Sequence, residues 1–419
     1  MKSAQKQLSD LIRSNPGLKI VASTYGLIVI CLIISFLVNY FFIVKQVNLT
    51  DWITRVELSR LFILEGVSPY DIGESDLASL SVLVDIQTGN TAIFPFISPV
   101  FGLFLLLPFS YITNADLSFS FWLTINQALL VLAVFWLIDL FSWKIERELR
   151  IFLLFFIMFA YFSIANYFNP GFSIVQFFFL VTGIKSIYLE DDILAGVALA
   201  MMLVSPSSVI LPTLIIILSL LRNRRTYVII WFGITLLLVS LGGIIFDNGW
   251  PVKLIRNILD QGNLDFLYSF EPVINLIPAG LRNPYYRLII PFGLISWLYF
   301  EFIQTRIDHT VPQLWILGLS ICVNTLVFFH HALDISIFFP FLFILIFYLW
   351  HRRVVKKTLL IFFAISSVAV NFIPFFLTNR YSDFKDPFFS VYQLVLVIFL
   401  VIMLYWVKWW VADESIMPD

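Results

Sequence analysis

The sequence predicts an all-helical integral membrane protein forming one polytopic domain over residues 1–419. Two observations carry that expectation. First, the chain is 60% hydrophobic and only 13% charged, with a mean hydropathy of +0.94, more apolar surface than a water-soluble fold can bury. Second, apolar runs of about the ~20 residues that span a bilayer recur roughly twelve times along the chain.

In chain order, residues 20–44 form the first run. The polar, basic stretch Met1 to Lys19 precedes it, and the run is too long for the apolar core of a cleaved signal. Further spans are expected at 94–113, 117–141, 151–168, 172–189, 193–221 and 227–246, then at 287–304, 311–329, 333–350, 358–377 and 388–411. The run at 193–221 contains Pro206 and Pro212 and is expected as one span, kinked or broken into two half-helices. Phe is abundant (46 residues) and suits lipid-facing surface, while the Trp and Tyr residues suit interfaces. Cys31 and Cys322 lie inside apolar runs, which argues against a disulfide or a metal site. The net charge of −1 gives no field for nucleic acid.

Basic residues set the expected orientation. Lys2, Lys6, Arg13 and Lys19, the Arg222-Asn223-Arg224-Arg225 cluster, and Arg352-Arg353 with Lys356-Lys357 are the densest positive segments, and they read as cytoplasmic. Both termini then lie in the cytoplasm. Lys144-Ile145-Glu146-Arg147-Glu148 falls on the outside in this count, as do the long segments 45–93 and 247–286 and the shorter 378–387. The two long segments mix apolar and charged residues without Gly/Ser tracts, the pattern of helices lying on the membrane surface.

Three groups of polar residues are candidates for chemistry. Asp51 stands at the mouth of the first span and opens the helix-forming stretch Trp52 to Glu65, which Gly66 should stop. As a plain helix cap, Thr50 or Asp51 contributes about 1 kcal/mol. As a functional group, Asp51 is a general base, with Arg55 one turn on as its positioner or as a phosphate contact. The second group is His330-His331-Ala332-Leu333-Asp334, at the expected outer end of 311–329. Its spacing matches no specific metal motif. The third is Asn166 to Gly171 with Gln176, where polar groups at membrane depth should face the protein interior. No P-loop, Gly-rich dinucleotide turn, HExxH or nucleophile elbow occurs, so nucleotide hydrolysis has no support.

The order of these segments resembles the GT-C superfamily of membrane glycosyltransferases, and within it the bacterial family-87 polyprenyl-phosphate-mannose-dependent mannosyltransferases. Asp51 with Gly66-Val67-Ser68-Pro69-Tyr70 is similar to that group's first outer loop, which holds the catalytic Asp. Phe94-Pro95-Phe96-Ile97-Ser98-Pro99 with Leu107-Pro108 is similar to the following Pro-rich helix. Asn169-Pro170 with Gln176, then Leu194-Ala195-Gly196-Val197-Ala198-Leu199 and the Arg222–Arg225 cluster, is similar to the central region. His330 to Asp334 leading into Phe338-Phe339-Pro340 is similar to the segment near the donor phosphate. The resemblance runs from about residue 20 to about residue 350, and it departs at Val175 and Ser205, where the group has Gly and Lys.

The resemblance implies a GT-C fold with about twelve transmembrane helices. It implies an inverting transferase of a bacterial plasma membrane, moving mannose or a similar sugar from a polyprenyl-phosphate donor to a glycolipid or glycan at the extracytoplasmic face. Asp51 is then the catalytic residue, and Arg55, Tyr70, Arg256, Arg282, His330, His331 and Asp334 are expected to bind substrate. No cofactor is implied, and because no acidic pair has ligand spacing a metal-free reaction is favoured. The expected partners are the lipid-linked donor, the glycan acceptor and the bilayer, with no nucleic acid. The rivals are a transporter or flippase for a lipid-linked sugar, and a non-catalytic membrane assembly partner.

Overall fold

The computed structural model describes residues 16–47, 49–71, 99–141, 145–168, 171–260, 286–305, 310–328, 337–351 and 387–412. The described residues are helices joined by turns, with no strand among them. In chain order they are α1 (Pro16–Val38), α2 (Thr50–Arg60), α3 (Phe101–Ser110), α4 (Ala115–Leu140), α5 (Arg147–Met158), α6 (Tyr161–Phe168), α7 (Ser173–Tyr188) and α8 (Asp192–Met201). There follow α9 (Ile210–Arg222), α10 (Thr226–Phe246), α11 (Trp250–Asp260), α12 (Tyr286–Gln304), α13 (Thr310–Val327), α14 (Phe339–His351) and α15 (Pro387–Ala412). Among the described residues, three helical stretches are long and apolar enough to cross a membrane, at Gly26–Gln46, Ala115–Leu140 and Thr226–Phe246, and there are several shorter apolar helices. The expected spans at 333–350 and 358–377 fall partly and wholly outside the described residues.

Two sets of contacts define the ends of the bundle. At one end, Asn39 donates to Thr124 Oγ1 and Gln127 Oε1, both at 2.9 Å, so the close of α1 meets the first half of α4. Trp52 lies there too, its ring 5.6 Å from those of Phe109 and Trp122. Trp122 in turn meets Phe172, just before α7. At the other end, Lys185 pairs with Asp139 at 2.7 Å, Arg225 bonds Asp192 and the Ile187 carbonyl, and Arg222 donates to the Thr305 carbonyl at 3.2 Å. Tyr188 and Gln313 join there at 2.9 Å.

This geometry corrects three expectations. The run 94–113 was expected to cross, but the part of it among the described residues, the ten-residue helix α3, has both of its ends at one end of the bundle. Its start touches Gly243 and its close touches Trp52, so α3 stays at the Trp52 end, and α4 starts there and runs antiparallel to α1. Consequently Glu146, Arg147 and Glu148, expected on the side opposite the Arg222–Arg225 cluster, follow α4 to the same end as that cluster.

The run 193–221 is not one span but a helical hairpin. Asp192, at its start, meets Arg225, just past its end. Between them, Ser205 takes φ −136° and ψ 89°, and Pro206, which has no N–H to give, ends the first arm. Pro212 sits in the first turn of α9, where no intrahelical donor is needed. Gln176 donates to the carbonyls of Met202 (2.9 Å) and Ser205 (2.7 Å), and Asn324 donates to those of Ser207 (3.1 Å) and Ser208 (2.9 Å). Those bonds replace the intrahelical partners that the break removes. The third correction is that 151–168 is two helices, α5 and α6, separated at Phe159-Ala160.

Candidate functional site

The candidate site sits at the Trp52 end, on segments that do not traverse the bundle. A short turn after α1 leads to α2. Leu49 is the residue that caps α2, through its carbonyl alone, so neither Thr50 nor Asp51 is the cap; Asp51 lies inside the first turn. The side chain of Asp51 lies outside the described residues. Its helix is held tightly: Trp52 is fully buried and donates to Ser118 Oγ at 3.3 Å, while Ser59 donates to the Leu103 carbonyl at 2.7 Å. Arg55 is half-buried one turn after Asp51. Arg60 is bidentate on Glu57, with contacts of 2.5 to 3.0 Å.

Helix α2 runs on into a π-helical turn at Leu61–Glu65, and Gly66 stops it as expected, at φ +69°, a conformation that costs a residue with a side chain but not glycine. The chain then turns inward. Ser68 and Tyr70 are buried, and Tyr70 packs with Leu58, Phe62, Val100, Leu103 and Trp250. Asp71 emerges and pairs with Lys253 of α11. Lys253 also donates to Asp247 Oδ2 at 3.1 Å, and Gly249 N–H donates to Asp247 Oδ1 at 2.9 Å. Lys253 therefore clasps the first long loop to the second, 182 residues later in the chain.

Electrostatics follow from burial. Burial alone would raise the Asp247 carboxyl, but Ser68, the Gly249 N–H and Lys253 outweigh it and hold it below its ordinary value. The Ser68 hydroxyl lies close enough to contribute without completing a well-formed hydrogen bond. Burial likewise opposes the charge on Lys253, yet the two carboxylates hold its ammonium above its usual value. The Tyr70 phenol is pushed up first by burial and then by the charge of Asp247, with a Val100 backbone contact acting the other way. Tyr70 thus remains a hydrogen-bond donor, Lys253 a cation and Asp247 an anion across the physiological range.

Of the residues expected in the site, Arg55 and Tyr70 lie on this end of the fold, and Arg256 lies on α11, exposed and one turn past Lys253. Arg282, His330, His331 and Asp334 lie outside the described residues. Sequence reading missed Asp247 and Lys253. A signal existed for Asp247: Asp247-Asn248-Gly249 is a turn signature in which the Asp side chain bonds the backbone two residues on. Nothing local marked Lys253. Helix α11 exposes Val252 and Ile255 beside its basic residues, the make-up of a helix lying at a membrane surface. The sequence matches no family model and no curated protein.

Proposed function

We propose that the chain is an inverting glycosyltransferase of the GT-C type, using a polyprenyl-phosphate-linked monosaccharide and acting at the extracytoplasmic face of a bacterial plasma membrane. The observation that carries the reading is α2: a helix that leads away from the first span without crossing, is pinned by Trp52 and Ser59, and lies at the same bundle end as the Lys253 clasp. Asp51 then stands in the first turn of a pinned helix at that end of the bundle. The proposed membrane arrangement has about twelve crossings, with the hairpin supplying two and α3 none. Arg147, Arg150, Lys185, Arg222, Arg224 and Arg225 share one bundle end, which the positive-inside tendency assigns to the cytoplasm, together with both termini.

In the proposed reaction the acceptor hydroxyl attacks the anomeric carbon from the face opposite the lipid phosphate. Asp51 takes the hydroxyl proton, the new carbon–oxygen bond forms as the bond to the phosphate oxygen breaks, and polyprenyl phosphate leaves. Arg55 and Arg256 on the described residues, with Arg282, His330 and His331, are the candidates to meet the growing phosphate charge, and Tyr70 and Asp334 those to hold the sugar. No cofactor enters this scheme.

The test is Asp51→Asn in purified, monodisperse protein, following sugar transfer from the lipid donor. Removal of a general base costs ~100- to 10,000-fold in rate. Near-wild-type turnover refutes the catalytic role. The hairpin, a break in helical structure inside the bundle, is the one observation favouring a carrier of lipid-linked sugar instead. Movement of labelled lipid donor across proteoliposomes without transfer would establish that reading.

A further inference from the structure

A second site lies at the opposite end of the bundle, where α7, α9 and α13 leave a cavity of about 240 Å³. Its deep part is apolar: Ile184, Ile216, Leu314 and Leu317 line it and are buried. Its mouth is polar and carries both signs of charge, with exposed Glu190 and Asn223 beside the partly exposed Arg225. Arg225 spends N–H groups on the Ile187 carbonyl and on Asp192, and a guanidinium has five.

The mouth is built at a conformational cost. Glu190, just past α7, takes φ 60°, and Arg224, just past α9, takes φ 56°. Both positions end a helix in the left-handed region where glycine is the favoured residue. A charged residue at Glu190 fixes a carboxylate on the rim of the cavity, where a glycine would close the helix with less strain.

We propose that this cavity binds a zwitterionic phospholipid, with part of one acyl chain among the Ile and Leu side chains, the phosphate at Arg225 and the ammonium at Glu190. The apolar depth disfavours water, an ion or a sugar, each of which needs polar partners on several sides. An anionic head group would face Glu190 without a countercharge, and a purely cationic one would face Arg225. The site owes nothing to the transferase reading, since it lies at the other end of the molecule from Asp51.

Native mass spectrometry of the delipidated full chain tests it, with phosphatidylethanolamine and phosphatidylglycerol of identical chains as probes. The wild type should retain phosphatidylethanolamine in preference to phosphatidylglycerol. Glu190→Gly should lower phosphatidylethanolamine retention about tenfold, the size of one charge-assisted contact. Its thermal midpoint should not fall, because glycine adopts φ 60° freely. Ile216→Trp, which fills the apolar depth, should abolish retention of both lipids. Equal retention of the two lipids by the wild type overturns the proposal, and so does undiminished phosphatidylethanolamine retention in either variant.

Discussion

Replacing Lys253 by methionine should open the seam between the two long loops, and the size of the effect follows from exposure. The Lys253 side chain is 32% exposed, that of Asp71 59% and that of Asp247 8%. The Asp71 pair is therefore of the surface kind, contributing about 0.2–1 kcal/mol. Asp247 is different. Without Lys253 its nearly buried carboxylate keeps the Gly249 N–H but loses its only cation among the described residues, a penalty of about 1–3 kcal/mol. The partial exposure of Lys253 keeps the sum below the ~3–5 kcal/mol of a fully buried pair. Amide exchange measured over residues 66–71 and 249–256 reads the opening directly. A cycle of Lys253→Met, Asp247→Asn and the double variant isolates the coupling, which should be about 1–2 kcal/mol. The sign with pH is set by both partners. The Asp247 contribution is complete above its unfolded value near ~4 and is lost as pH falls through its lowered folded value. The Lys253 contribution is complete below ~10.4 and is lost as pH rises through its raised folded value. Coupling should thus be flat across neutral pH. Additive single variants, within about 0.5 kcal/mol, refute the clasp.

Two further outcomes are expected. A Cβ at Gly196 would stand 2.6 Å from Trp231 Cβ and 2.7 Å from the backbone N of Phe232 and O of Val228, so Gly196→Ala should destabilise by about 1–3 kcal/mol. Gly233→Ala on α10, with nothing within 4 Å, is the control; equal thermal midpoints for the two variants would contradict the close packing of α8 on α10. With Cys31 and Cys322 replaced, cysteines at Glu148 and Asn223 should label from one face of the membrane and a cysteine at Val67 from the other. Labelling of 148 and 223 from opposite faces would restore the crossing at 94–113 and refute the antiparallel arrangement of α1 and α4.

What could be read from sequence was what depends on local chemistry. The helical, membrane-embedded class follows from composition, and the stop at Gly66 follows from the left-handed turn that glycine alone makes without strain. Crossings were harder, because an apolar run has the same appearance whether its neighbours are lipid or protein. Leu103 and Leu106 are fully buried, and the partners that bury α3 come from α2, α4 and α10. Two prolines in one run are compatible with a kink or a hairpin. The bonds from Gln176 and Asn324 accompany the hairpin, and they arrive from distant parts of the chain. At the candidate site, Asp51, Arg55 and Tyr70 stood out by position in the first loop. Lys253 did not, because its two carboxylates come from different loops.

The hairpin also sets a timetable for biogenesis. Asn324 Oδ1, which accepts from the Leu211 N–H, is synthesised 113 residues after its partner, roughly 6 to 23 s later at ~5–20 residues per second. Gln176 has by then already left the ribosome, 26 residues ahead of Met202. The apex therefore forms with one amide at its carbonyls and acquires the second only when α13 docks. A nascent chain halted before residue 324 should hold its hairpin by Asp192 and Arg225 at the base and by Gln176 and Ser208 at the apex, with the carbonyls of Ser207 and Ser208 still lacking the Asn324 amide.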